Sequence, residues 1–579
     1  MTGKFKRFLS SHPDLLWAFF IFVAALVVLL PDLGQGFWDA WEPHYSRVSR
    51  EMLEAGDWLY PTYQGHSEFS KPIFLYWFEL IGFSLFGVTE WAARLLVALS
   101  GAATAVYTFW CVRILLGRTA GIVSALILLG TPMFPMIFRQ VMFDGPFVAA
   151  SWCGLLSFAV GILVRRRFVY FAVFYILAAV AVLSKGLLGL AIPLGVIGLY
   201  VLITYDFRLL GRVYLVRGLM LFMLVGLPWY LYMFHRFGQT FIDEFIIENH
   251  FRRLLGETKL IRNVLGTFEY YINNIGYSLF PLSAVLPFAI GKFMPLEGMR
   301  PRRVRARLFI MLSAFVPFFI ITVTETKFNH YHFPMVPPLA VMLAWYGVTT
   351  FRRARTDGLP IGFRAEIVLS LALLAVMTLD LTRNFREIIE LSNFYVDRPI
   401  PESFSLKTPI LFAAGATGLG LLIAVVRPSI PQLLKTASGL PLAAGLVFTW
   451  YLAHPVFVEL SPHFTMKQIY DRYDELRGPD DRLGEFSKWY RGTIFYCKTP
   501  YERVQRGDTP MREFLKGPGK RFLVTGREDY DLLTRTLNAV TKRSWRIVDD
   551  SSARFYLIMV DEGHGADKGE GGASPEESP

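Results

Sequence analysis

The residues of this chain that could do chemistry are a few carboxylates set among lysines, arginines and histidines. FWDAWEPHYSRVSREMLEAGDW (37–58) places Asp39 and Glu42 at i and i+3, followed by Pro43, His44 and Tyr45. On a helix that spacing puts both carboxylates on one face. There they could take a proton from a hydroxyl or bind a metal, or cap an interfacial helix with Pro43 in its first turn. Lys71 precedes Pro72 in EFSKPIFLYW (68–77). An ammonium at headgroup depth is a point-charge partner for phosphate, and a lysine snorkelling to ordinary lipid is the plainer alternative. Asp144 opens an apolar run in FRQVMFDGPF, as a working carboxylate or as the partner of Arg139 at a helix start. Lys185 stands alone between two apolar runs in VLSKGLLG. EFIIENHFRR (244–253) and ETKFNHYHF (325–333) add His250, Arg252, Arg253, Lys327, His330, Tyr331 and His332. His330 and His332 are not at the i, i+4 spacing of helical zinc ligands.

The elements that position these residues are set by composition. The 579 residues are 53% hydrophobic and only 18% charged, with a mean hydropathy of +0.39. The apolar residues fall in runs of roughly 17–25, the length that crosses about 30 Å of hydrocarbon. Spans are expected near 15–32, 92–113, 119–138, 145–164, 168–184, 187–205, 213–234, 271–291, 306–324, 333–350, 365–382, 407–426 and 440–457. The first is read as a retained span, not a cleaved signal. The net charge of +12 is carried between the runs, as topology signals, and does not point to nucleic acid. Cys111 and Cys153 lie inside spans and Cys497 stands alone, so no disulfide framework is offered.

With the N-terminus in the cytoplasm, every short inside loop is basic: Arg113 with Arg118, Arg165 to Arg167, Arg208 with Arg212 and Arg217, RPRRVRAR (300–307), FRRAR (351–355), and Arg427 with Lys435. The candidate residues above then all fall outside, at the ends of spans. Intramembrane ionisable residues are functional candidates by default. The long first outer segment, 33–91, carries two amphipathic helical patterns, 43–55 and 73–86, suited to the interface plane. Residues 1–458 are read as the membrane domain. Residues 459–561 read as a small periplasmic α/β domain, with strands in KRFLVTG (520–526) and ARFYLIMV (553–560) and a helix in DYDLLTRTLNAVTK. The tail 562–579 is polar, Gly- and Pro-rich, and read as disordered. The rival class, a transporter or lipid flippase, predicts midplane charges and internal repeats. The spans 187–205 and 407–426 have apolar centres, and no repeat is visible.

Several segments, in order, resemble the GT-C glycosyltransferases that use polyprenyl-phosphate sugars, in particular the lipid A aminoarabinose transferases and protein O-mannosyltransferases. They are REMLEAGDWLYPTYQG (50–65), SKPIFLYW (70–77), FDGPF with Asp144, LSKGLLGLAIP (183–193), ENHFRR (248–253) and TKFNHYHFPMVPPLAVMLAW (326–345). The resemblance covers most of 15–350. It implies a multi-pass helical fold of about thirteen spans with interfacial helices and a C-terminal α/β periplasmic domain. It further implies inverting transfer of a sugar from a polyprenyl-phosphate donor to a lipid A-like, glycan or protein acceptor in the inner membrane. The family's acidic pair near the catalytic centre is usually adjacent. Here Glu42 matches one member and Trp41 stands at the other, so Asp39 and Glu42 are expected to act together as the base. Lys71 would hold the donor phosphate, and Asp144 would support the acceptor or the base. Lys185, Arg252, Arg253 and Lys327 would help neutralise the phosphate. His44, Tyr45, His250 and Tyr331 are the expected substrate contacts. Ser70 stands where the family often has Glu, which leaves a divalent metal, with His250 as candidate ligand, an open expectation. No nucleotide-binding motif is present.

Overall fold

The computed structural model describes residues 13–38, 41–252, 267–296, 298–299, 301–324, 327–357, 361–391, 400–426 and 431–562. The chain divides into two compact units. The first runs to Gln35 and from His44 to Glu459, apart from a short stretch at 398–401. The second takes Gly36–Pro43 and everything from Leu460. The expected tail lies outside the described residues from 563 on.

The first unit is a bundle of helices. Among the described residues, nine helices are long and apolar enough to cross a membrane. Three shorter apolar ones, Pro13–Leu29, Arg118–Leu129 and Leu188–Thr204, fill other expected spans. Residues 271–291 depart from expectation. They are two helices, Phe268–Ser278 and Leu282–Phe293, bent by 120°. The break includes Pro281, whose nitrogen has no proton for the helix ladder. Hydropathy averaged over a window is blind to such a bend, because both halves are apolar.

Local chemistry fixes the helix ends. In Glu90–Leu116 the Thr89 side chain accepts the Ala92 N–H at 3.2 Å, Glu90 sits in the first turn and Arg113 in the last. Arg113 and Arg118 both bind Asp14, which ties the helix Pro13–Leu29 to its neighbours. Two fully buried arginines hold the chain where it leaves that first helix. Arg94 donates to Leu33 O and Gln35 O. Arg139 donates to Pro31 O at 2.8 Å and meets the His454 ring.

The segment 33–91 supplies the scaffold around Lys71. Helix Glu42–Ala55 buries Tyr45, Val48 and Met52 on one face and carries Arg47–Glu51 and Arg50–Glu54 pairs on the other. Gly56, at φ +66°, follows its last turn. Glu51 also accepts the N–H groups of Gln64 and Gly65, the two left-handed residues of a tight hairpin pairing Thr62–Tyr63 with His66–Ser67. Helix Phe74–Phe86 is locked to the first helix by one buried carboxylate. Glu79 accepts from Ser46 Oγ at 2.5 Å and Ser49 Oγ at 2.8 Å.

The second unit holds a five-stranded sheet of β1 (Arg482–Phe486), β2 (Tyr501–Val504), β3 (Arg521–Gly526), β4 (Trp545–Asp549) and β5 (Phe555–Val560). The spatial order is β2-β1-β3-β5-β4. β1 pairs in parallel with β2 and β3, and β5 pairs antiparallel with β3 and β4. Helices Lys467–Leu476 and Tyr530–Val540 bury apolar faces in two clusters around Phe522 and Leu523, side chains that alternate along β3.

The Glu79 clasp is testable. Glu79→Ala leaves two buried hydroxyls without their acceptor and should cost about 2 kcal/mol or more. Ser46→Ala and Ser49→Ala should each cost about 1 kcal/mol. Thermal unfolding in detergent reads this order, and an unchanged midpoint for Glu79→Ala would dismiss the clasp.

Candidate active site

Each candidate side chain is delivered by the end of an element. Asp144 is the first residue of helix Asp144–Leu163, where the helix dipole favours a negative charge. Lys185 is the last residue of helix Phe168–Lys185, where the dipole favours a positive one. Gly186 turns the chain at φ +59°, and Gly189 lets the next helix pack directly on the Ala181 backbone. Tyr331 and His330 lie on the 3-10 turn Asn329–Met335, and Asn249 on the π-helical segment Ile242–Arg252. Lys71 and Pro72 immediately precede helix Phe74–Phe86.

These ends meet around one cavity of about 270 Å³, whose lining includes Lys71, Asp144, Lys185, Asn249, Thr324 and Tyr331. The Lys185 ammonium donates to Asp144 Oδ1. The other carboxylate oxygen is 3.6 Å from His330 Nε2. The same ammonium lies 5.0 Å from the Tyr331 ring centroid and 5.7 Å from that of Phe147, a cation–π cradle. The far wall is apolar, built from Leu187, Leu188, Ala191, Ile192, Ile320 and Ile321.

The remaining expected residues are placed as follows. Arg139 does not serve as the partner of Asp144; its guanidinium turns to Pro31 O and His454. Lys327 is buried, and its ammonium donates to Thr322 O at 3.1 Å and Thr324 O at 2.7 Å. It therefore satisfies carbonyls at the end of helix Arg302–Val323 and holds Thr324 at the cavity wall. Arg252 stands outside the lining and pairs with Glu248 at 2.8 Å. Tyr45 packs edge-on against Phe143 at 4.9 Å, the residue just before Asp144. His44 meets Glu68 at 3.4 Å and lies 4.3 Å from the Tyr63 ring. Glu42, in the second unit, is buried and accepts the Trp38 N–H at 2.9 Å. Asp39, Arg253 and the His250 side chain lie outside the described residues. Among the described residues no three His, Cys, Asp or Glu side chains gather as metal ligands.

Three contributors escaped the sequence reading as site residues. In the sequence His330 stands out only for its spacing to His332, yet its Nε2 lies 3.6 Å from Asp144 Oδ2. Asn249 lies within the matched ENHFRR segment. Glu68, three before Lys71, accepts the Ser70 N–H at 2.9 Å and so shapes the approach to Lys71. Burial opposes its ionisation. Its bonds to His44 and to Ser70 outweigh that and hold its carboxyl at about 2.

Comparison with known proteins agrees with this architecture. Residues 70–232 match the family profile of dolichyl-phosphate-mannose-protein mannosyltransferase. An undecaprenyl phosphate-alpha-4-amino-4-deoxy-L-arabinose arabinosyl transferase of Yersinia enterocolitica is 28% identical over 353 residues, 59% of this chain and 60% of that protein. A protein of Aquifex aeolicus without an assigned activity is 27% identical over 56% of this chain and 63% of its own length. The chain thus spans about 60% of the length of the curated relatives it matches. The crystal structure of ArnT from Cupriavidus metallidurans bound to undecaprenyl phosphate superposes with a TM-score of 0.68, 20% identity, and coverage of 94% of this chain and 97% of that one. The fold is the multi-pass helical membrane fold of that ArnT structure, with a small C-terminal sheet domain.

The Glu68 contact predicts a pH dependence. Its folded-state value lies below its ordinary 4.5, so its stabilisation is complete above about 4.5 and is lost as the pH falls toward about 2. Glu68→Gln should be less stable than wild type at pH 6, and the gap should shrink at pH 4 and more at pH 3. Denaturation in detergent at these three pH values measures it; a gap independent of pH would contradict the assignment.

Proposed function

We propose that this chain is an integral inner-membrane glycosyltransferase that moves a sugar from a polyprenyl-phosphate donor to a lipid, glycan or protein acceptor, with inversion. The observation that carries the reading is the cavity's makeup. Two lysines and one carboxylate form its polar end, and aliphatic side chains form its wall. A surplus of positive charge beside an apolar surface suits an amphipathic anion, and a phosphate on an isoprenoid chain is one. The named activities of the arabinosyl transferase and mannosyltransferase relatives, and the undecaprenyl phosphate of the ArnT structure, support the same donor class. The basic segments 300–307 and 351–355 support a cytoplasmic N-terminus, with the cavity and the C-terminal domain on the periplasmic side.

In this reading Lys71 and Lys185 bind the donor phosphate. Asp144 and Tyr331 hold the Lys185 ammonium in place before the phosphate arrives, so the charge is preorganised. The acceptor oxygen attacks the anomeric carbon from the face opposite the phosphate. A new C–O bond forms, the bond to phosphate breaks, and its electron pair leaves with polyprenyl phosphate. The proton of a hydroxyl acceptor passes to the Asp39 and Glu42 pair; a phosphate acceptor needs no base, and the carboxylates then steady developing positive charge. Arg252 and Arg253 add positive charge. Lys327 acts through Thr324, and Tyr45 and His44 act through Phe143 and Glu68, as positioning residues. A divalent metal held with the help of His250 would add to the same charge balance.

Release of free polyprenyl phosphate from a lipid-linked sugar, by purified protein without an ion gradient, tests the proposal. Asp39→Asn and Glu42→Gln should slow turnover by about 100- to 10,000-fold. Lys71→Ala should weaken both donor binding and turnover. A chelator that slows the reaction would show the metal. Wild-type rates in both amide variants would remove the base assignment, and no release from any polyprenyl-phosphate sugar would remove the reading itself.

A further inference from the structure

The turn Asp57–Tyr60 joins helix Glu42–Ala55 to the hairpin. Its two middle side chains, Trp58 and Leu59, are large, apolar and exposed. Its backbone, by contrast, takes its partners from within the chain. The Asp57 N–H donates to Met52 O at 3.1 Å, and the N–H groups of Leu59 and Tyr60 donate to Asp57 Oδ1 at 3.0 and 3.2 Å. The Trp58 and Leu59 carbonyls each accept an indole N–H, from Trp77 at 2.8 Å and from Trp229 at 2.9 Å. In water those carbonyls would be hydrated and the indoles superfluous. In hydrocarbon a carbonyl without a donor is heavily penalised, and the indoles become necessary.

One helix sets the depth of the turn. Leu215–Phe237 is long and apolar enough to cross a membrane. Trp229 and Arg236 stand on one face of it, about 10 Å apart along its axis. Arg236, in the last turn, donates to Asp57 Oδ2 at 3.0 Å, and Trp229 reaches Leu59 O. From Asp57 to Leu59 the chain therefore follows the span inward, from its charged end toward its centre. Leu231 and Phe234, between these two anchors, are themselves exposed on the helix. The polar tip of the turn stays at the charged end. The Tyr60 ring centroid lies 4.2 Å from the Arg236 guanidinium, and its hydroxyl meets Ser67 Oγ at 2.7 Å in the hairpin, as an interfacial tyrosine does. The turn also borders the candidate active site. Phe237 packs against Tyr60 at 4.9 Å and Phe69 at 5.1 Å, and Phe69 precedes Ser70 and Lys71 of the cavity lining.

We infer that Asp57–Tyr60 is a membrane wedge, which inserts Trp58 and Leu59 among the acyl chains of the bilayer at the rim of the candidate active site. Lipid is the partner, and an acceptor protein is not, because the turn runs along a membrane-crossing helix below its charged end, where a soluble partner has no access. An exposed Trp and Leu gain by leaving water there. The inference stands on the span and on the hydrogen bonds of the turn, and it holds whichever reaction the cavity performs.

The full chain in liposomes, with Leu59→Cys carrying a small thiol-reactive fluorophore, tests this. His66→Cys, at an exposed position of the hairpin, is the aqueous reference, and wild type treated in parallel corrects for labelling of Cys497. A nitroxide placed high on the lipid acyl chain should quench the Leu59 label more than the His66 label, and aqueous iodide should do the reverse. Trp229→Phe removes the donor to the Leu59 carbonyl and should shift the Leu59 label toward quenching by iodide. Trp77→Phe, on a different helix, removes the donor to the Trp58 carbonyl and gives the same readout if the first variant fails to fold. Equal iodide quenching at the two positions would put the turn in water and overturn the inference. Protection from both quenchers would mean that protein covers the turn, and would overturn it too. So would a Leu59 label indifferent to both tryptophan variants, because its depth would then belong to the fluorophore and not to the turn.

Discussion

Bilayer hydrocarbon does not hold a lone charge, and the arrangement of this chain follows from that exclusion. Asp144 and Lys185 sit at the ends of consecutive membrane-crossing helices, and each neutralises the other. The helix dipoles favour both signs where they stand. Without the pair, either charge would be buried beside Phe147 and Leu188 with far less compensation. The ion pair therefore makes a charged cavity compatible with an apolar bundle, and Lys71, Tyr331 and His330 are arranged around it.

The segment between the first two membrane-crossing helices does the work of a frame. It buries apolar residues such as Tyr45, Val48, Met52, Leu75 and Leu80, and polar contacts add direction to that packing. Glu51 pins the hairpin turn, Glu79 joins two helices through Ser46 and Ser49, and Glu68 joins His44 to the backbone before Lys71. Each carboxylate satisfies groups from two places in the sequence, and buried polar groups satisfied in this way specify one geometry. Lys71 is one residue on a loop, yet its approach is set by Glu68 on one side and by Pro72, leading into a locked helix, on the other.

The spans were legible in the sequence because hydropathy is a local property, and so were the two amphipathic helices and the strands at 520–526 and 553–560. The cavity residues Lys71, Asp144, Lys185 and Tyr331 were legible for a related reason: a polar residue at the end of an apolar run is conspicuous. Their pairing was not. Arg139 looks like the natural partner of Asp144 at five residues' distance, but it joins His454, far away in sequence. Lys327 looks like a free cation, but helix carbonyls take its protons. The 120° break at Pro281 and the serine clasp of Glu79 depend on which helices meet, and no window of sequence holds that information.

The same exclusion of charge explains why the two cavities differ. At the smaller cavity, charges of both signs come from separate helices and meet across a gap, with the Lys185 ammonium held between the Asp144 carboxylate and the Tyr331 ring. A second cavity, of about 840 Å³, has a mostly aliphatic and aromatic lining. The difference follows from where the bundle brings helix ends together: several polar termini converge on the smaller cavity, and the larger one is walled mainly by the apolar flanks of helices.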